Sequence, residues 1–530
     1  MTTLTSLDIT SNTFSGTLPT ELGLLTRLTL LGLHMNSLVG TLPTELGQLT
    51  FLKELSVHTN AFSGTLPMEL ALLTELQTFY AYANNLTGTL PTQLVEWRGI
   101  KIFSIHKNHF TGTIQTELGT WRDVKRLSIS DNNLTGTLPS ELGQLSTLEF
   151  LDVASNSLKG TIPTDFGQLS LLTALSVYMN TLTGSLPPHL GVITHLETLF
   201  AFNDLLSGTL PTEIGLLTEL TSLYVSDNII TGTMPTELGQ LTAIAQLSIS
   251  RNSLMGTLLT ELGRLTSLTS LKVNSNLISG TIPTALGEAT SLQVLYASNN
   301  LLTGAIPREL NTLVDMQEVD VDDNRLTGTL PSELGKWQAL KVLWMRNNSL
   351  TGTIPTSVVY LSKLQSLDLS QNFMNGTVPT EVGQLFSLSF LNVGNNSFTG
   401  FLPEVGNKYG FQVYSIHSNC FIGTLPTWLR LMTSLDFFIA SNNSLTGVLP
   451  SDLNHMTSLE HFYVDSNRFT GTLPKEMGQM TRLEYFSLAN NSFTGTLPTE
   501  LGLMTRLRYV DFSMNDFIGT IPSQLVQWSD

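Results

Sequence analysis

The chain has 530 residues and lacks much of what many functions need. There is one cysteine, Cys420, so no disulfide can form within it. On composition alone that fits a reducing compartment. Only 13% of the residues are charged, and they sum to −17; an acidic balance of this size speaks against a general nucleic-acid binder. No apolar run reaches the ~20 residues of a transmembrane helix. The opening MTTLTSLDIT has neither the basic start nor the unbroken apolar stretch of a signal peptide. There is no phosphate-binding glycine loop, no GxSxG, no HExxH and no kinase motif. The reading is therefore of a non-enzyme without a cofactor, with a kinase domain beyond the C-terminal end left open.

What the chain has in abundance is repetition, which sets the architecture before any count of domains does. Anchored on the asparagine of LxxLxLxxN, the first repeat holds Leu4, Leu7, Ile9 and Asn12. Asparagine then returns every 24 residues as far as Asn396, with Asp204 the one exception. One residue is lost near Phe401 to Gly406, and the row resumes at Asn419 and ends at Asn515, giving 22 repeats without a linker. The expected organisation is a single continuous array over 1–530, with a local irregularity at 401–411.

Each offset has a physical task. Leu7 and Ile9 alternate with polar residues, as in a half-buried strand. The asparagine turns inwards, where its amide can donate to and accept from neighbouring coils. Four residues on, all 22 repeats carry glycine, which predicts close backbone packing or an unusual dihedral. Proline follows in 20 of the 22, Gln115 and Leu259 being the exceptions; it suits the first turn of a short helix. An acidic residue two positions later, as at Glu21, sits near the positive end of that helix. This offset holds 15 of the 42 acidic residues, which reads as helix-start scaffold, not an acidic binding patch.

These residues resemble the plant-type leucine-rich repeat, roughly LxxLxxLxLxxNxLxGxIPxxLGxL, over essentially the whole chain, and the uniform TGTLPTELGQLT units are similar to the repeat proteins of diatoms. The resemblance implies an α/β repeat solenoid, a superhelix or horseshoe with a parallel sheet on its concave side. Short second strands come from the LTGT segment, and 3-10 or short helices from the convex side. It also implies a receptor-like ectodomain or secreted binder at the cell surface, with a protein, peptide or glycan ligand. No nucleic-acid partner is implied, and a membrane would be met only through segments outside this chain. Plant-type ectodomains carry cysteine-paired caps, which this chain lacks, so the chain is expected to be part of a longer product.

Ligand candidates are large residues two, four and six positions before the ladder asparagine, against a background of serine and threonine. One group is His34, His58, Tyr80, Tyr82 and His106. A second is Tyr178, Phe200, Phe202, Tyr224 and Tyr296. A third is Glu318, Asp320, Asp322, Trp344 and Arg346. A fourth is Phe437, His461, Tyr463, Tyr485 and Tyr509. Aromatic side chains on a rigid sheet are good anchors for a partner; the alternative is drift on an unused face. The histidines read as a pH-sensitive contact in preference to a metal site. Glu318, Asp320 and Asp322 are a weak calcium candidate, with pairing to Arg346 and Arg325 preferred. Asp204 is expected either to be protonated or to be compensated by Asn203. The NxS/T sequons at Asn85, Asn133, Asn347, Asn375, Asn395, Asn442 and Asn490 matter only in a secreted chain.

The second threonine of Thr-Gly-Thr recurs in 18 of the 22 repeats, so stacked coils should line up two threonine ranks. The ranks resemble the arrays of β-solenoid ice-binding proteins, which makes an ice-binding or cell-wall structural role the alternative. Threonine is also a good exposed strand residue, and scaffold is the preferred reading.

Overall fold

A computed structural model describes residues 3–528. The chain forms two compact units, Met1–Leu277 and Ile278–Asp530. The first holds twelve short parallel strands, from Ser6–Asp8 to Ser270–Lys272; the second holds ten, from Val294–Tyr296 to Tyr509–Asp511. Within each unit successive strands pair in parallel, at a 24-residue offset as in Arg126↔Phe150, Leu127↔Leu151 and Ser128↔Asp152, and at 23 residues between Phe390–Asn392 and Val413–Ser415. The middle residue of each strand points inwards, so the flanking two face outwards.

One coil shows how the sequence makes the fold. In the coil around Asn132, Val124, Leu127, Ile129, Leu134 and Leu142 are 0% exposed. Each such burial contributes ~1.5–3 kcal/mol, but a lone coil has nothing to bury against, and stacking supplies the partner surface. The Asn132 amide donates to Ile129 O and Ser130 O in its own turn, and to Ile105 O of the preceding coil at 3.1 Å. Its Oδ1 accepts the Phe110 amide at 2.9 Å. One side chain therefore closes its own turn and ties it to the coil before, as the sequence pattern requires.

A second strand follows the asparagine, such as Asn133–Thr137, which pairs with Ser157–Gly160. Its glycine, Gly136, has φ +83°, and a Cβ there would lie 2.7 Å from Thr113 Cγ2 of the preceding coil. All 22 glycines at this offset have positive φ, so both expected reasons for glycine operate at once. The residue before each ladder asparagine is also left-handed, Asp131 at φ 49° for example.

All helices among the described residues are 3-10. The proline does not enter the first turn; it is the extended residue before it, with Pro139 at φ −67° and ψ 134°. Its missing N–H and fixed φ serve the approach to the helix. The acidic residue does fall in the first turn, as Glu141 does. It packs by its backbone as well: a Cβ at Gly119 would collide with the Glu141 carbonyl. This second glycine, in the LG pair, has a role that the strand-and-ladder pattern does not reveal. In the irregular stretch 401–411 no helix forms between the strands Ser397–Gly400 and Val413–Ser415. Tyr414, fully buried, fills the space and donates to Pro403 O at 2.9 Å.

Candidate functional site

The outward residues of the first-unit strands assemble a continuous column of rings. His34, His58, Tyr82 and His106 occupy the same offset, two residues past the ends of four successive strands. Their centroids lie 4.2, 4.1 and 4.4 Å apart, with interplanar angles of 24°, 11° and 9°. Tyr80 stands edge-on to His58 and Tyr82 at 6.0 and 6.1 Å. Parallel strands ~4.8 Å apart bring such rings into face contact. Hydroxyls fix their edges: His34 Nδ1 lies 3.0 Å from Ser56 Oγ, His106 Nδ1 lies 2.9 Å from Ser104 Oγ, and Tyr82 Oη lies 3.3 Å from His58 Nε2.

This geometry corrects the view of His58 and His106 as exposed groups titrating near neutrality. His58 is 9% exposed; burial, with His34 and His106 adding to it, pushes its pKa down to about 4. Burial lowers His106 too. Both are neutral at pH 7. Stacked rings also hold their nitrogens apart, and no group of three histidine, cysteine or acidic side chains suited to a metal ion exists among the described residues.

The second group is brought together only in part. Tyr178 and Phe202 stack at 4.4 Å and 8°. Phe200 meets Tyr224 edge-on at 5.2 Å. Tyr296 belongs to the other unit, where its hydroxyl donates to Glu318. In the fourth group Phe437, His461 and Tyr485 stack at 4.3 and 4.5 Å, with Tyr463 tilted beside His461 at 6.0 Å. Tyr509 is in register with Tyr485 and turns its hydroxyl to Asp511, 3.4 Å away.

The third group is not the salt-bridged cluster expected. Neither Arg346 nor Arg325 forms an ion pair with these carboxylates. Ser298 Oγ donates to Asp320 at 2.7 Å, and the Arg346 backbone amide donates to Asp322 at 2.6 Å. Burial, reinforced by Asp320, Asp368 and Asp323, pushes Asp322 up to about 7. With each carboxylate held by a separate donor, Glu318, Asp320 and Asp322 do not form the calcium site considered from the sequence. Trp344 Nε1 donates to Ser366 Oγ at 2.8 Å, which fixes the indole on the exposed face.

His417 belongs to the same outward offset as the ring column and was missed from the sequence. It folds over Gly394, where a Cβ would strike its ring, and Asn395 and Ser415 each lie 2.9 Å from its nitrogens. The signal was present: a large residue opposite a glycine at the same offset one coil earlier.

At Asp204 the ladder keeps one function and loses the other. Oδ1 accepts the Leu182 amide at 2.9 Å, but Oδ2 is buried without a partner. Asn203 does not compensate; it is the exposed left-handed residue that every coil has at that offset. Burial raises the Asp204 carboxyl to about 7.

The threonine flank is engaged by the fold. Second-rank methyls such as Thr113 Cγ2 cover the next coil's glycine. First-rank hydroxyls donate to backbone, Thr135 Oγ1 to Gly112 O at 3.2 Å. A shallow groove of about 820 Å³ runs over Thr113, Thr137 and Thr161, a consequence of the repeat itself.

Leucine-rich repeat models match residues 314–374, and 3–25, 123–145, 147–169, 219–241, 291–313 and 482–504. No curated protein sequence matches the chain. Among solved structures, the chain is similar to the plant peptide hormone receptor RGFR1 in complex with RGF2, with TM-score 0.93 and 31% identity over 99% of this chain and 88% of that one. It is similar to PEPR1 with AtPEP1, at TM-score 0.92 and 31% identity over 99% and 77%. It is also similar to the Arabidopsis receptor kinase HAESA in complex with the peptide hormone IDA and the co-receptor SERK1, at TM-score 0.91 and 31% identity over 98% and 87%. No helix among the described residues is long and apolar enough to cross a membrane.

Proposed function

This chain belongs to the leucine-rich repeat family, and we propose that it is a non-catalytic recognition scaffold of a receptor-like, cell-surface or secreted protein, holding a peptide against the open face of its sheet. The observation that carries this reading is the four-ring column from His34 to His106. The core does not need it, and it sits on the outward offset where other coils carry serine. Structural neighbours with peptide-hormone ligands, RGFR1 and HAESA, support the class of partner.

Ring geometry favours a peptide over a glycan. Within the column the faces are spent on one another, so the rings present edges bearing nitrogen and hydroxyl groups. Such edges suit amide donors and acceptors, whereas sugar recognition draws on free ring faces. The ice-binding alternative is the weaker reading, because second-rank methyls cover glycines of the next coil and first-rank hydroxyls such as Thr135 Oγ1 donate to backbone. The experiment is selection of linear peptides from a random display library, followed by titration against wild type and Tyr80→Ala/Tyr82→Ala. The expected outcome is at least a tenfold rise in Kd for the variant. Selected peptides that bind both proteins equally would refute the reading.

A further inference from the structure

The flank that carries the second strands is polar in most coils, because threonine and serine hold its outward positions. In the second unit part of it is apolar. Phe401 stands in the second threonine rank, and Ile422, one coil later, in the first. Phe373 opens the strand Phe373–Thr377 on the same flank. Their exposures are 75%, 47% and 65%. Phe401 rests on the bare backbone of Gly423, where a Cβ would lie 2.6 Å from its Cδ1. The other surface of each phenyl ring is left to solvent.

Beside these side chains is the sequon Asn375-Gly376-Thr377. Asn375 shares the outward side of its strand with Phe373 and Thr377, alternate residues ~6.7 Å apart. Across the sheet Asn375 is in register with Ser397, and Thr377 with Thr399 and then Cys420. Strand spacing and rise put Phe401 and Ile422 within ~16 Å of Asn375. Asn375 and Thr377 are exposed, and the Asn375 carboxamide has no hydrogen-bond partner among the described residues. The sequons on left-handed residues differ. Asn347 donates to Asp323, Asn395 meets His417, and Asn442 and Asn490 donate to Ser418 and Ser466. Asn85 and Asn133 are exposed too, but they face Ser63 and Thr111 across the sheet.

We propose that Asn375 carries an N-linked glycan whose first sugars lie over Phe373 and Phe401 and screen this flank from water. The inference rests on the cell-surface or secreted reading, because the donor is a lipid-pyrophosphate-linked oligosaccharide of the secretory pathway. Asn375 Nδ2 forms a bond to the donor's anomeric carbon. The bond from that carbon to pyrophosphate breaks, the lipid pyrophosphate leaves, and the displaced amide proton passes to solvent. Thr377 supplies the hydroxyl that the acceptor sequence requires. The C–H faces of sugar rings pack on phenyl rings, so exposed apolar surface here is a seat for the chain's own glycan. A bulky, solubilising group beside the patch also keeps it from the association that bare apolar surface invites.

The test is secretion of the full chain from a eukaryotic host behind a cleavable leader. Enzymatic release of glycans in heavy-oxygen water marks each occupied asparagine for mass spectrometry, and Asn375 should be occupied in most molecules. Cys420, exposed on the same flank, reports coverage. A polymer-bearing maleimide should label it roughly threefold faster in Thr377→Val, which removes the acceptor hydroxyl and keeps the methyl that packs on Gly400. Release of the glycan from the wild-type protein should give the same acceleration, so the result stands even if Thr377→Val misfolds. Asn85→Gln should leave the rate unchanged. An empty Asn375, equal labelling with and without the glycan, or the same acceleration in Asn85→Gln overturns the proposal. Recognition is read separately. A library-selected peptide lost in Tyr80→Ala/Tyr82→Ala while Asn375 is empty overturns the glycan and keeps the recognition face. An occupied, covering Asn375 with peptide binding unchanged in that variant removes the face and keeps the glycan.

Discussion

Asn132 and His106 lie within 26 residues of each other and show two kinds of position in one repeat. Around Asn132, Gly136 and Thr137, each coil repeats its neighbours, and the side chains are consumed by contacts between coils. Around His106, successive coils offer a ring, a serine or an alanine, and the backbone is unaffected. The uniform row is what stacking requires. The varied row is what stacking leaves free, and the proposed recognition face lies there. Loss of structure and loss of binding should therefore separate cleanly between the two rows.

The largest structural effect is expected from Asn132→Ala. It removes three donated bonds and the acceptor of the Phe110 amide, leaving buried backbone groups unpaired. The cost is ~3–4 kcal/mol, measurable as lost hydrogen-exchange protection at Phe110, whose amide Asn132 Oδ1 accepts. Protection that stays at the wild-type level would break the distinction between the rows. Gly136→Ala comes next. It forces a side chain into φ +83° against Thr113, costing ~2 kcal/mol. Thr113→Ser, which removes the obstructing methyl, should recover part of the loss in a double-mutant cycle.

Asp204 sharpens the comparison because it is an exception inside the uniform row. Its carboxyl is raised by burial to about 7, while the unfolded chain has the ordinary carboxylate value. From about pH 4 to about pH 7 the folded state therefore holds a proton that the unfolded state has released. Stability contributed by this group is present below that window and is lost as pH rises through it. Asp204→Asn restores the donor that neighbouring coils use. It should stabilise by ~1–2 kcal/mol at pH 8 and much less at pH 4, flattening the pH profile of the melting temperature. An equal gain at both values would show that the carboxyl does not titrate in that window.

The sequence made the uniform row legible because its constraints recur. Strand, ladder amide, left-handed glycine and acidic first turn each return at a fixed spacing, so each could be assigned a cause. Two causes stayed hidden. The LG glycine gives way to the next coil's glutamate backbone, which only the stacked structure brings near. Proline stands one step before the helix because a 3-10 turn is too short to need it inside. On the varied row, the positions of His34, His58, Tyr82 and His106 were legible from offset alone. The low pKa of His58 was not, since it comes from burial that the offset does not reveal. Likewise the carboxylates near Arg346 looked paired in sequence but are satisfied by hydroxyls and backbone.

The smallest structural effect belongs to the varied row itself. Tyr80→Ala/Tyr82→Ala removes the third ring of the column and its edge-on neighbour, but both side chains lie on the outward face and neither belongs to the core. The loss should be ~1–2 kcal/mol from ring contacts, with the far-ultraviolet spectrum unchanged. His58 would lose the ring stacked on it and gain water. The burial that holds it near 4 would relax, and its pKa should rise towards the ordinary imidazole value. Nuclear magnetic resonance titration of His58 Cε1–H gives the readout. A clear upward shift with the fold intact would show that the column controls the face chemically without supporting the solenoid. A pKa that stays near 4 would mean that the strands, and not the rings, desolvate His58, and the two rows would then be less independent than their sequences suggest.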